Sequence, residues 1–137
     1  AIPARLKGRK RLEAMLRAYI QPHIEVATTP QGRHYGGILA RLAADGANRS
    51  PDAFLPSVAP FRKMVLGQLV ELFPGVDPVR VGQALSYSVT LMLSAPYDRN
   101  YESTVGLAPE DQSPEAWTEA LTRFAMGGFE GLCGAPR

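Results

Sequence analysis

The stretch from Asp77 to Pro96, DPVRVGQALSYSVTLMLSAP, decides the fold. Asp77 is a residue type that caps the first free amides of a helix, Pro78 suits the first helical position, and Pro96 forbids continuation. Between Arg80 and Asp98 only tyrosine can ionise. A helix apolar on nearly every side must be surrounded, by its own domain or by a partner chain. Ser86, Ser88, Thr90 and Ser94 interrupt the run, which makes it too short and too hydroxylated for a membrane span. It reads as the centre of an all-α, water-soluble domain.

The same punctuation recurs along the chain. Thr29-Pro30, Ser50-Pro51, Asp77-Pro78 and Ser113-Pro114 each place a capping side chain before a first-turn proline, and so mark helix starts. An earlier helix is carried by Leu12, Leu16, Tyr19, Ile20, His23 and Ile24 at three- and four-residue spacing, with Pro22 expected to kink it or loosen its last turn. Tyr35, Ile38, Leu39 and Leu42 make a second stripe, closed by Asp45-Gly46. Phe54, Val58, Phe61, Val65, Leu69 and Leu72 follow in phase, with a restart near Ser57 past Pro56. Residues 97–112 have no period and read as a long connection. The last helix, from Pro114 to about Cys133, aligns Trp117, Leu121, Phe124 and Phe129 beside Gly127, Gly128 and Gly131. Those glycines imply either close approach of another helix or fraying. About five helices and no strands are predicted, in a single domain over residues 1–137.

Composition narrows the chemistry. The net charge of +2 conceals a basic start, Arg5, Lys7, Arg9, Lys10 and Arg11, ahead of a mildly acidic body. That start reads as a solvated helix entry or linker, with a nucleic-acid or phosphate contact as the alternative. One cysteine, Cys133, excludes an internal disulfide and fits a reducing compartment such as the cytoplasm. His23 and His34 match no metal-ligand spacing, and no nucleophile elbow, phosphate loop or dinucleotide fingerprint occurs, so no cofactor or metal is expected. His23 falls on the apolar face of the first helix, where it is either a hydrogen-bonded core residue or a ligand contact; His34 is expected to face solvent.

Three stretches carry a resemblance: RLEAMLRAY at 11–19 followed by Pro22-His23, GRHYGGILARL at 32–42, and LFPGVDP at 72–78 leading into the central helix. With the helix order, they make the chain resemble the C-terminal regulatory domain of TetR-type transcriptional repressors over almost its whole length. The resemblance implies a homodimer built as a four-helix bundle from the last two helices of each subunit, a small-molecule pocket among the earlier helices, and an N-terminal helix-turn-helix domain that binds operator DNA. No helix-turn-helix is found in these 137 residues, so operator binding is expected only through a further domain. Val81, Leu85, Val89, Leu121, Phe124 and Gly128 are the expected dimer interface. Tyr19, His23, Tyr35, Phe61, Met64, Val65 and Tyr87 are the expected lining of a pocket for a partly apolar effector, a filled core being the alternative. The competing functions are a helical interaction module without ligand and a small helical enzyme acting on an apolar substrate; the resemblance favours a regulator that is not an enzyme.

Overall fold

A computed structural model describes residues 6–32, 34, 38, 55–95 and 113–137, with only the backbone for 55–58. Four long helices are bounded within them: α1 (Gly8–Ala27), α2 (Leu55–Leu72), α3 (Pro78–Ser94) and α4 (Pro114–Cys133). Residues 30–32, 34 and 38 are also helical, which accounts for the fifth expected helix, and no strand occurs among the described residues. The expected cap at Ser50-Pro51, the stripe positions Leu39, Leu42 and Phe54, and the connection 97–112 lie outside them.

The three described caps form as their side-chain chemistry dictates. Asp77 Oδ1 accepts from the Val79 amide at 2.9 Å, Ser113 Oγ from Ala116 at 3.1 Å, and Thr29 Oγ1 from Gly32 at 2.9 Å. Each satisfies an amide that a helix start would otherwise leave without a partner. α1 runs through Pro22 to Ala27 as one helix. Proline there deprives the Ala18 carbonyl of its donor, and because Ala18 and Pro22 are both exposed, water can replace it. α2 starts at Leu55, two residues before the expected restart, and carries Pro60 inside it.

The core is a bundle in which α1 makes its most extensive contact with α4, α3 packs on α4, and α2 leans on α3 and α1. Leu12, Leu16, Ile20 and Ile24 of α1 meet Leu121, Ala125, Met126 and Phe129 of α4 in a common cluster with Leu69, Leu72, Phe73, Val81 and Leu85. Phe73 and Phe129 stack at its centre with ring centroids 6.0 Å apart. Ion pairs set the direction of the α1–α4 contact. Arg17 bonds Glu115 and, at 2.9 Å, Glu119, whereas Arg9 bonds Glu130 at 2.8 Å, so the two helices are antiparallel. The guanidinium groups of Arg17 and Arg123 hold the Glu119 carboxyl below its usual range.

One helical phase differs from expectation. On α4 the buried positions are Thr118, Leu121, Thr122, Ala125, Met126, Phe129 and Cys133. Phe124, expected on that side, is 69% exposed. Its spacing from Leu121 fits the helical repeat but its spacing to Phe129 does not, so one stripe cannot hold all three. On α2 the expected Val65, Leu69 and Leu72 turn inward, joined by Leu66 and Phe73, and Phe61 of the same stripe is half exposed.

Candidate functional site

α1 and α2 bring together part of the expected pocket. Tyr19 stacks on Phe61 with centroids 5.6 Å apart and planes 7° from parallel. His23 follows Tyr19 by one helical turn on the same side of α1, and its Nε2 is buried with no hydrogen-bond partner among the described residues. Burial holds the His23 pKa below the usual histidine value, so the ring is neutral near pH 7. Burial likewise raises the Tyr19 phenol above its ordinary value, with Arg62 acting against the rise. Val65 is half buried against the core, and Met64 lies beside it on α2 but is half exposed. Tyr35 lies outside the described residues.

Tyr87 does not join this group. It is 63% exposed. Gly82 faces α2, since a Cβ there would lie 4.0 Å from Leu66 Cδ1. Tyr87, five residues on, sits roughly 140° further round α3 at about 100° per residue. It therefore belongs to the outer surface of α3.

The expected interface set also divides. Val81, Leu85 and Leu121 are buried inside the single chain, at 0%, 4% and 5% exposure. They pack with α1 and α2 residues in the common core. Val89 is half buried, whereas Phe124 and Gly128 are exposed. A Cβ added at Gly127, Gly128 or Gly131 would meet nothing within 4 Å, so these glycines line an open face rather than a contact within the chain. Trp117, Ala120, Phe124, Gly127, Gly128 and Gly131 make that face uncharged along the length of α4. Arg80 of α3 borders the same cleft as Leu132 and Cys133 of α4, which sets α3 antiparallel to α4. Tyr87, midway along α3, then comes level with the middle of α4, where Phe124 and Gly128 lie.

Sequence, burial and packing thus describe a helical bundle with a partly polar interior at one end and an uncharged outer face on its last helix. A family model described as tetracyclin repressor-like, C-terminal domain, matches residues 17–128. The chain belongs to that family. No curated protein and no solved structure matches it significantly. The tetracyclin repressor-like domains are regulatory and not enzymatic.

The other features of this TetR-like domain are plainer. Among the described residues, no group of His, Cys, Asp and Glu could hold a metal, and no helix is long and apolar enough to cross a membrane. His34 is exposed, as expected, with Nδ1 3.1 Å from the Pro30 carbonyl. Cys133 is buried, and burial raises its thiol pKa, so thiolate chemistry is disfavoured. An open cleft of about 450 Å³ lies at the turn between α2 and α3, bordered by Asp77, Arg80 and Cys133, and includes none of the expected pocket residues.

One residue was missed. Arg62 stands seven positions before Leu69 and three before Val65, on the face of α2 that turns inward, and it is half buried. Counting back from Leu72 and Leu69 to Val65 and then by three reaches Arg62, but by four reaches Phe61, so helical spacing alone does not choose between the two.

Proposed function

We propose that this TetR-like domain senses a small, partly apolar effector between α1 and α2 and dimerises through the outer faces of α3 and α4. The observation that carries the effector half is the buried, unpartnered Nε2 of His23 beside the Tyr19–Phe61 stack. A buried polar nitrogen without a partner costs on the order of 1 to 3 kcal/mol, a cost that a bound hydroxyl, carbonyl or carboxyl would remove. The dimer half is supported by the exposed Tyr87 and Phe124 and the open glycines of α4, because contiguous uncharged surface of this kind marks interfaces. Effector binding would shift the population between two dimer geometries that set the spacing of two DNA-binding heads, supplied by a helix-turn-helix unit outside these 137 residues and working in the cytoplasm.

Native mass spectrometry and NMR test the two halves separately. A dimer mass supports the interface, and a chain that stays monomeric at high concentration refutes it. For the pocket, a library of metabolite-sized compounds is screened by the ring resonances of Tyr19 and His23. A compound that moves both, and loses affinity in His23→Leu, supports the site. A library in which nothing moves them favours the filled-core reading, in which the stacked rings are ordinary packing.

A further inference from the structure

Among the described residues the half-buried arginines are paired, with one exception. Among the described residues the partly covered arginines are Arg11, Arg17 and Arg62. Arg11 reaches Glu71 at 3.2 Å and Arg17 reaches Glu119 at 2.9 Å. Arg62 has no carboxylate within ion-pair distance among those residues. The other basic residues without such a partner, Lys7, Lys10, Lys63, Arg80 and Arg137, are exposed and solvated by water. Arg62 also occupies a position where the period of α2 calls for an apolar side chain, in line with Val65 and Leu69. A guanidinium held partly out of water loses hydration that only a counter-charge replaces, and its planar fork matches a carboxylate through two parallel hydrogen bonds. Its charge acts on Tyr19 of the Tyr19–Phe61 stack, an apolar wall, and the unpartnered Nε2 of His23 belongs to the next turn of α1 after Tyr19.

From this juxtaposition we infer that the effector is a carboxylic acid with an apolar body: Arg62 takes the carboxylate, the edge of the Tyr19–Phe61 stack lines the body, and His23 hydrogen-bonds a polar group on it. The inference rests on the effector pocket proposed above and adds the charge and chemical class of its occupant. A neutral His23 supports the arrangement, since the imidazole can then act as donor or acceptor.

Two matched probe pairs test it: 2-naphthoate with 2-naphthamide, and octanoate with octanamide. Each is titrated into the chain while the Tyr19 and His23 ring resonances are followed. The acid of at least one pair is expected to bind more tightly than its amide by on the order of tenfold to a hundredfold, the worth of one hydrogen-bonded charge pair. Arg62→Gln should bring acid and amide to within about twofold, and Arg62→Lys should keep part of the preference, since it retains charge without the fork. Equal binding of acid and amide by the unaltered chain, or an acid preference that survives in Arg62→Gln, overturns the assignment of the acid while leaving the pocket intact. A large fall in the melting temperature of Arg62→Gln also overturns it, by showing that Arg62 serves a salt bridge within the chain. If neither pair moves either ring, the pocket itself is refuted and the acid assignment falls with it.

Discussion

Replacing Phe124 with alanine separates the outer face of α4 from its buried face. Phe124 is 69% exposed in the single chain, so truncating it removes little from the fold; surface changes of this kind stay within about 0.5 kcal/mol. In a symmetric dimer each phenylalanine is buried by the partner, and burying such a side chain contributes about 1.5 to 3 kcal/mol. The two-fold symmetry counts it twice, giving a loss of roughly 3 to 6 kcal/mol, or a dissociation constant raised on the order of a hundredfold to ten-thousandfold. Sedimentation velocity over a concentration series reads that shift, and chemical denaturation monitors the fold. Leu121→Ala is the internal comparison. Leu121 is only 5% exposed and packs within the core, so its truncation should cost about 2 to 5 kcal/mol of folding stability. An unchanged dimer constant in Phe124→Ala, or a dimer lost in Leu121→Ala while the fold remains intact, refutes the assignment of the outer face as the interface.

Three further outcomes are expected. Phe129→Ala removes a fully enclosed ring stacked on Phe73 and should lower the unfolding free energy by about 3 to 5 kcal/mol, measured by urea denaturation; a loss below about 1 kcal/mol would contradict the packing described. Asp77→Ala deletes the cap that accepts from Val79 and should cost about 1 kcal/mol by the same assay, while Asp77→Asn keeps most of it. Stability should fall as pH drops from neutral through the range just below the ordinary histidine value of 6.5, because the unfolded chain protonates His23 before the folded chain does. The contribution is complete above that value and is lost progressively below it. His23→Leu should flatten this segment of the stability curve, measured between about pH 5 and about pH 8, and a curve identical to that of the unaltered chain would show that His23 is not the group responsible.

The helical class, the order of the elements and their ends were determined by the sequence, because these rest on local chemistry. A capping oxygen and a first-turn proline act over three or four residues, so Asp77-Pro78 and Ser113-Pro114 fix where α3 and α4 begin without reference to anything else. The stripe of α1 was legible for the same reason, as Leu12, Leu16, Ile20 and Ile24 repeat without interruption. Which side of a helix turns inward, by contrast, was decided by the tertiary structure wherever apolar residues encircle the helix. Val81, Leu85 and Leu121 are as hydrophobic as any interface residue, yet the packing of α1 and α2 claims them for the interior and leaves Tyr87 and Phe124 outside. Periodicity measures the angle between residues and carries no information about which neighbour occupies that direction. The same limit hid Arg62: its charge suggested the surface, and only the direction of the helix face shared with Leu69 shows a cation held toward the inside of the bundle.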